Sequence, residues 1–162
     1  MKTLHAPWRI NYILGPKPDC CVFCLPESTA GDAERFILHR AEHCFVIMNI
    51  FPYSNGHLMV TPYRHVSNLT DLDARECHEI MDYVQKSCFI LEQAFKPHGI
   101  NIGVNIGQAA GAGIKEHLHV HLVPRWNGDH SFMAVMSETS VLPEHLRSTY
   151  DRLKPFFNNL QR

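Results

Sequence analysis

Three histidines alternate with apolar residues in the segment His117-Leu118-His119-Val120-His121-Leu122-Val123. Successive side chains of a β-strand point to opposite faces, so His117, His119 and His121 share one face. The apolar residues share the other face, which we expect to enter the core. Imidazoles act as nucleophiles, as general acids and bases, and as metal ligands. This histidine row therefore predicts either a metal site or nucleophilic attack on phosphorus.

The residues that flank the histidine row favour the second of these chemistries. Metal sites of the cupin type have a carboxylate a few residues after the histidines, whereas this segment continues with Leu122, Val123, Pro124 and Arg125. Dinuclear zinc hydrolases have an Asp-His step, whereas position 120 is Val. Residues 108–113 form a loop of small residues whose backbone N–H groups can approach an anion closely. The sequence thus favours phosphorus chemistry, with a catalytic metal in the row as the alternative.

A second chemical motif is the pair Cys21 and Cys24. Its Cys-x-x-Cys spacing is typical of a zinc knuckle, which supplies two thiolates to one tetrahedral ion, and of a redox pair. Cys20 is an alternative ligand. The first ten residues lack the apolar core of a secretory signal, so we expect a cytoplasmic protein, in which disulfides are rare.

Composition limits the partners of this protein. The chain has 162 residues, 45% of them hydrophobic and 19% charged, which predicts one globular domain over residues 1–162 and excludes a disordered tail or a coiled coil. The formal net charge is −1, so nothing draws the chain generally to nucleic acid or to an anionic membrane. The longest apolar run, Cys44–Met48, is too short to span a bilayer. We therefore expect a small-molecule partner in a specific pocket.

Hydrophobic patterns predict the strands that must position the histidine row. Short apolar runs predict three strands, at residues 36–38, 44–48 and 57–60. Ile100, Ile102, Val104 and Ile106 alternate with small or polar residues and predict a fourth strand. Residues 1–19 hold three of the ten prolines and predict an irregular N-terminal arm.

Two helices complete the prediction. Thr70 and Asp73 have the spacing of a capping box. Apolar residues then recur at three- and four-residue steps, at Cys77, Ile80, Met81, Val84, Cys88, Leu91 and Phe95. Pro97 and Gly99 end this long helix, and residues 143–160 predict a C-terminal amphipathic helix. Strands in a meander with one long helix inserted indicate an α+β fold with an antiparallel sheet.

Three segments together resemble the histidine triad (HIT) superfamily of nucleotide hydrolases and transferases. The first is the histidine row with its two following apolar residues. Residues 45–65, FVIMNIFPYSNGHLMVTPYRH, resemble the family's Asn, Gly-His and Pro-x-x-His segment. Residues 117–129, HLHVHLVPRWNGD, resemble the branch of diadenosine tetraphosphate phosphorylases and fragile-histidine-triad proteins, in which Pro-Arg and Gly-Asp follow the histidines. The resemblance runs from Trp8 to Leu153.

This resemblance implies a fold and a covalent mechanism. The HIT-like fold is an antiparallel sheet of about five strands with one long helix and a C-terminal helix, and its members form homodimers. His119 corresponds to the nucleophile, which attacks the α-phosphorus of a nucleotide and forms a nucleotidyl-histidine. His121 corresponds to the histidine that hydrogen-bonds the phosphate and assists the leaving group. His57 matches a structural histidine behind the row, and the mechanism requires no catalytic metal.

The resemblance also implies the nucleotide contacts. Asn49 matches the residue that holds the ribose, and Asn105 matches one that touches the phosphate chain near the leaving group. Backbone groups near Gly113 and Ile114 match those that bind phosphate oxygens. Arg125 has two interpretations from its chemistry, since its guanidinium could reach a phosphate or pair with an acidic residue on the surface.

Two further metal ligands follow from the resemblance. Zinc-containing members complete the site of the cysteine pair with a histidine after the Pro-x-x segment, here His65, and with the first histidine of the row, here His117. The implied cofactor is a structural Zn²⁺ held by Cys21, Cys24, His65 and His117. The alternative is a reduced thiol pair, with His117 hydrogen-bonded to the backbone.

The implied enzyme is a nucleotide phosphorylase or hydrolase that acts on a dinucleoside polyphosphate. Phosphorolysis of diadenosine tetraphosphate to ADP and ATP is favoured, because the residues after the histidine row resemble that branch. Hydrolysis of the same class of substrate is the first alternative. A phosphoramidase acting on AMP-lysine-type substrates is the second, although that branch has Gly-Gly where this chain has Pro124 and Arg125. The third is a zinc-stabilised nucleotide-binding module whose role is an interaction.

Overall fold

The chain forms a five-stranded antiparallel sheet with two helices, as seen in a computed structural model that describes residues 21–129, 142 and 144–160. The strands are β1 (Ile37–Arg40), β2 (Cys44–Met48), β3 (Leu58–Pro62), β4 (Gly99–Val104) and β5 (Val120–Arg125). The helices are α1 (Ala74–Phe95) and α2 (Leu146–Asn158). The predicted α+β class is confirmed. The arm predicted at residues 1–19 lies outside the described residues, as does Cys20.

The strand order β1-β2-β3-β5-β4 differs from the expected meander. The chain continues from β3 into helix α1 and then forms β4. One strand position separates β4 from β3, so β4 lies at the end of the sheet. Strand β5 then inserts between β3 and β4 and pairs with both. The second half of the histidine row therefore lies in the interior of the sheet rather than at its edge.

Helix α1 begins at a capping box, but not at the predicted one. The carboxylate of Asp73 accepts hydrogen bonds from the backbone N–H groups of Arg75 and Glu76, and the Glu76 side chain accepts from the Asp73 N–H. Asp73 is thus the N-cap residue, whereas Thr70 lies in a preceding 3-10 turn. The carboxylate of Asp73 satisfies the free N–H groups at the helix start, so Thr70 is not needed.

The apolar stripe of α1 is wider than the face that the sheet covers. Ile80, Val84 and Leu91 are buried, but Cys77 is exposed and Met81 is 64% exposed. A helix that packs on a sheet buries only the residues that face it, so stripe residues at the margin stay in contact with solvent. The apolar repeat of α1 therefore includes two residues, Cys77 and Met81, that the single chain does not bury.

The two faces of the sheet carry two separate apolar clusters. On the helix side, Leu58, Val60, Val120 and Leu122 pack with α1 and α2. On the opposite side, the second cluster is formed by Phe23, Ile37, Phe45, Ile47 and Met59. Residues alternate between these clusters along β2 and β3, as the strand geometry requires. His119 and His121 alternate with Val120 and Leu122, so they belong to the side away from the helices.

Several element boundaries differ from the prediction. Strand β5 begins at Val120 rather than at His117, yet Leu118 is held because its N–H donates to Val66 O at 2.7 Å and its carbonyl accepts from Thr61 Oγ1 at 2.7 Å. Strand β4 ends at Val104, and α2 begins at Leu146 rather than at residue 143. In the part of the chain that the structure describes, no helix is long and apolar enough to cross a membrane.

Candidate active site

The side chain of His119 is held by a hydrogen bond at one of its two ring nitrogens. Its Nδ1 lies 2.8 Å from the carbonyl oxygen of His117, and the residue is only 5% exposed. Because a carbonyl can only accept a hydrogen bond, Nδ1 carries the ring proton and Nε2 carries the lone pair. Burial lowers the pKa of His119, which favours the neutral imidazole. A neutral imidazole with its lone pair on Nε2 is a competent nucleophile.

His121 is oriented by a chain of two hydrogen bonds. The backbone N–H of Tyr53 donates to His57 Nδ1 at 3.1 Å, so the His57 proton resides on Nε2. That Nε2–H faces His121 Nδ1 at 3.0 Å and donates to it. His121 Nδ1 is therefore an acceptor, and the proton of its neutral ring resides on Nε2. In this arrangement the Nε2–H of His121 can act as a hydrogen-bond donor.

Both members of the His57–His121 pair are held neutral. Burial lowers the pKa of His57 to about 3, and the neighbouring His121 and His119 contribute to the same shift. Burial likewise lowers the pKa of His121 to about 4, with a smaller effect of His119. The His119 and His121 rings lie edge to face with their centroids 4.7 Å apart. The site thus contains adjacent neutral imidazoles of defined orientation.

The predicted nucleotide contacts lie in loops around these histidines. Asn49 follows β2, and its Oδ1 accepts from the Phe51 N–H at 2.9 Å while its Nδ2 lies 3.4 Å from His57 Nδ1. Asn105 directly follows β4. Gly113 and Ile114 precede the histidine row, and Ile114 packs against the apolar cluster on the same side of the sheet. Their contacts with a nucleotide stay predictions.

The segment before the histidine row, residues 107–116, requires glycine at two positions, and neither of them is Gly113. Gly107 has φ 80° and Gly111 has φ 82°, which is the left-handed region that side chains disfavour. Gly113 has an ordinary φ, and a Cβ at that position would meet nothing within 4 Å. The shape of the loop therefore depends on the first two glycines.

The four predicted metal ligands come together in one cluster. Ligand atoms of Cys21, Cys24, His65 and His117 all lie within 4.8 Å of one another. Cys21 Sγ is 3.4 Å from His117 Nδ1, and Cys24 Sγ is 3.3 Å from His65 Nδ1. In a tetrahedral zinc site, bonds of about 2.3 Å to sulfur and about 2.0–2.1 Å to nitrogen separate adjacent sulfur and nitrogen ligands by about 3.6 Å. The cluster therefore fits a zinc ion.

The tautomer of His117 also fits a metal ligand. Its Nε2 lies 2.9 Å from the carbonyl oxygen of Pro62 and donates to it, so the lone pair is on Nδ1, on the side of the two thiols. This is the arrangement in which an outer carbonyl orients a metal-bound imidazole. Both alternatives for His117, metal ligation and a backbone hydrogen bond, are thus compatible in one side chain.

The structure selects one interpretation of Arg125. It also identifies Tyr53 and Phe23 beside the histidines, two residues to which no role was assigned from the sequence. Arg125 pairs with the acidic residue Asp129, at 2.6 and 2.9 Å, which is the second of its two interpretations. The Tyr53 ring lies 4.6 Å from that of His57. Phe23, between the two cysteines, packs against the His119 ring at 5.1 Å. A Cys-x-x-Cys motif with a large apolar residue inside is the signal that could have indicated Phe23.

Comparisons with known proteins agree with this geometry. The HIT domain family model matches residues 30–128, more than half of the chain. The chain is 37% identical over 161 residues to the AP-4-A phosphorylase of Mycobacterium tuberculosis, a match that covers 92% of this chain and 80% of that protein. It is 33% identical over 95 residues to the asymmetrical bis(5'-nucleosyl)-tetraphosphatase of Schizosaccharomyces pombe, a match that covers 59% of this chain and 52% of that protein.

A solved structure shows the same fold. The Zn-bound histidine triad family protein from Mycobacterium smegmatis superposes with a TM-score of 0.66 at 27% identity, over 85% of this chain and 93% of that one. The fold, the histidine row and the extent of these matches have one explanation. The chain belongs to the histidine triad family of nucleotide hydrolases and transferases.

Proposed function

We propose that this chain cleaves dinucleoside polyphosphates by transferring a nucleotidyl group to His119. The observation that carries the proposal is the hydrogen bond from His119 Nδ1 to the His117 carbonyl, which places the lone pair on Nε2. Nε2 attacks the α-phosphorus, an N–P bond forms, and the bond between that phosphorus and the bridging oxygen breaks. The second nucleotide leaves with the electron pair of that bond. Phosphate or water then attacks the same phosphorus, an O–P bond forms, and the N–P bond breaks, which returns the lone pair to His119 Nε2. When water attacks, its proton passes to solvent.

His121 stabilises the charge that develops in both steps. Its Nε2–H, fixed by the hydrogen bond from His57, donates to a phosphate oxygen or to the departing oxygen. The leaving nucleotide is an anion of low basicity, so a hydrogen bond suffices and His121 need not lose its proton. Donors aligned before the reaction need no reorganisation when charge moves.

Binding of the substrate rests on neutral groups. We assign the ribose to Asn49, the phosphate chain to Asn105, and phosphate oxygens to backbone groups near Gly113 and Ile114. The net charge of −1 supports this assignment, since the chain lacks a general excess of cations. Neutral donors bind an anion by hydrogen bonds whose number and direction select the substrate.

Phosphorolysis is the preferred fate of the nucleotidyl group. The AP-4-A phosphorylase of Mycobacterium tuberculosis supports it, because the match covers 92% of this chain. Hydrolysis is the second candidate, supported by the tetraphosphatase of Schizosaccharomyces pombe over a shorter region. The phosphoramidase and the nucleotide-binding module remain alternatives that the substrate test separates.

Incubation with diadenosine tetraphosphate, with and without inorganic phosphate, tests the proposal. ADP and ATP formed only with phosphate support the phosphorylase, and AMP and ATP formed without phosphate support the hydrolase. The control is His119→Asn, which should bind nucleotide but form no product. Failure of the parent protein to cleave any dinucleoside polyphosphate would contradict the proposal, and cleavage of an AMP-lysine substrate instead would identify a phosphoramidase.

We also propose that the cluster of Cys21, Cys24, His65 and His117 holds a structural zinc ion. Two sulfur and two nitrogen ligands within 4.8 Å support zinc, as does the Zn-bound state of the related protein from Mycobacterium smegmatis. The ion would join residues 21–24, here called the cysteine knuckle, to the residues after β3 and before β5. Free thiolates are needed for it, which suits the reducing cytoplasm that we expect for this protein.

A homodimer through the β4 end of the sheet completes the proposal. β4 is the last strand in the sheet order, and Ile102 on its helix side is 52% exposed. On α1, Met81 and Phe89 are each 64% exposed. Exposed apolar side chains on an edge strand and on a helix that packs on the same face of the sheet are typical of a surface covered by a partner.

A further inference from the structure

One side chain of the cysteine knuckle, that of Phe23, contacts the candidate nucleophile His119. Phe23 lies between Cys21 and Cys24 in a turn closed by the hydrogen bond from Cys24 N–H to Cys21 O at 3.1 Å. The neighbouring residue Val22 is 50% exposed, whereas Phe23 is only 3% exposed and is turned into the protein. The Phe23 ring instead packs 5.1 Å from the ring of His119 and 5.5 Å from that of His117.

Three contacts define the position of the His119 ring. Its Nδ1–H donates to the carbonyl of His117, the ring of His121 lies edge-on at 4.7 Å, and the ring of Phe23 covers it at a tilt of 44°. Two of these contacts come from the candidate metal site, because His117 is a ligand and Phe23 is inside the knuckle. The geometry of the nucleophile therefore depends on the segment that the metal would hold.

We propose that Phe23 is a positioning residue for His119, and that a metal ion in the cluster acts on the nucleophile through Phe23 and the His117 carbonyl. The ion does not touch the reacting atoms. By fixing Cys21, Cys24 and His117, it keeps Phe23 against the His119 ring and the carbonyl within reach of Nδ1. The proposal rests on the proposed function, since it assumes that His119 Nε2 is the attacking atom.

A merely structural role for Phe23 can be separated from this one. Phe23 and Phe45 belong to the same apolar cluster, and Phe45 is 0% exposed. Phe45 packs on Tyr63 with ring centroids 5.3 Å apart. Phe45 thus offers a matched control, because Phe23→Leu and Phe45→Leu remove the same atoms from the same cluster. Only the first of them removes a ring that covers the nucleophile.

The test compares the ring nitrogens of His119 in the metal-loaded proteins. Nitrogen-15 NMR at about pH 8, where ordinary imidazoles are neutral, reports which nitrogen carries the proton. His119→Gln assigns the signal by its loss. We expect the Nδ1–H tautomer in the parent and in F45L, and a mixture of tautomers in F23L. The same variant should lose activity: kcat should be roughly tenfold to hundredfold lower in F23L, with a nearly unchanged KM.

Metal removal supplies the second arm. Cys24→Ser, with metal loss verified by elemental analysis, should give the same mixture of tautomers as F23L. A Cys24→Ser protein that lacks metal and keeps a pure Nδ1–H tautomer would overturn the role of the ion. If F23L does not load metal, Phe23→Met takes its place, since Met fills a similar volume without an aromatic ring.

The remaining outcomes are equally decisive. A parent-like tautomer and kcat in F23L would overturn the positioning role, as would equal losses in F23L and F45L. If the parent cleaves no dinucleoside polyphosphate, the proposed function fails. The tautomer comparison does not need a substrate and still decides whether Phe23 orients His119, so the two failures are distinguishable.

Discussion

His57 Nε2 lies 3.0 Å from His121 Nδ1, although the two residues are 64 positions apart in the sequence. The Tyr53 N–H occupies the other nitrogen of His57, so the direction of this hydrogen bond is determined: His57 donates and His121 accepts. His57 is 1% exposed and faces the histidine row from within the protein. It therefore places the proton of the neutral His121 ring on Nε2.

Replacement of His57 should impair turnover more than binding. His57→Leu leaves His121 Nδ1 without its donor, so the proton of His121 is no longer confined to Nε2. We expect kcat to fall roughly tenfold to hundredfold, a part of what one aligned hydrogen-bond donor contributes. His57→Gln can still present an N–H and should lose less. Steady-state kinetics on diadenosine tetraphosphate check this, and an unchanged kcat in His57→Leu would contradict it.

The free energy of unfolding should decrease in mild acid because His57 and His121 are buried as neutral imidazoles. In the folded protein burial holds the pKa of His57 at about 3 and that of His121 at about 4, whereas unfolded histidines titrate near 6.5. Below about pH 6.5 the unfolded chain binds more protons, so the free energy of unfolding falls as pH falls, by about 1.4 kcal/mol per pH unit for each group. Above that pH these groups add no pH dependence.

Urea unfolding of the metal-loaded protein between about pH 7.5 and pH 5 measures this slope. His57→Gln should remove the contribution of one of the two groups. The window stays above the range in which carboxylates titrate, so acidic residues do not mask the effect. A free energy of unfolding that is constant over this range would contradict the assignment of buried neutral imidazoles.

Loss of the metal should lower stability and metal content together. Cys24→Ser removes one thiolate of the cluster, whereas Cys77→Ser changes an exposed thiol on α1 outside it. We expect Cys24→Ser to lose about 2 kcal/mol or more, which corresponds to a Tm lower by roughly 4–8 °C in a domain of this size. Cys77→Ser should match the parent in both measurements.

Elemental analysis and thermal unfolding, with and without a chelator, provide these data. If a chelator abolishes turnover while Tm is unchanged, the ion does not stabilise the fold and the structural assignment is wrong. If metal and stability are lost together, the ion stabilises the fold, as expected for a site whose ligands come from distant segments.

The oligomeric state should depend on Ile102. Ile102→Glu places a charge on the exposed apolar side chain of β4, so a dimer formed through this end of the sheet should dissociate. The matched control is Phe156→Glu, because Phe156 is 38% exposed on α2, and α2 packs on β1 at the opposite end of the sheet. Light scattering after size exclusion measures the mass, and a parent protein that is already monomeric would contradict the proposed dimer.

Much of the site was predictable because its signals are local. The alternation of the histidine row predicts that His119 and His121 share a face and that Leu118, Val120 and Leu122 are buried, and the structure has both features. The start of α1 was predicted three residues too early, because Thr70 and Asp73 have the same spacing as the true pair, Asp73 and Glu76. Spacing by itself cannot distinguish two overlapping capping boxes.

The contacts between distant segments required the folded chain or the family resemblance. Cys21 and His117 are 96 positions apart, and Cys24 and His65 are 41 apart, yet all four lie in one cluster. The spacing of Cys21 and Cys24 predicted the cysteine pair, whereas His65 and His117 were identified as its partners only through the resemblance. The contact of Phe23 with His119 had no signal of its own beyond its place in the knuckle.

The sequence by itself determined which face of a strand each histidine occupies, because that depends only on the alternation of side chains along an extended backbone. Only the tertiary structure decided the neighbours of those histidines. Strand β5 pairs with β3 in the register that sets Met59 opposite His121, which brings His57, just before β3, to the Nδ1 of His121. Strand neighbours depend on the packing of the whole sheet, and the proton positions of these imidazoles follow from it.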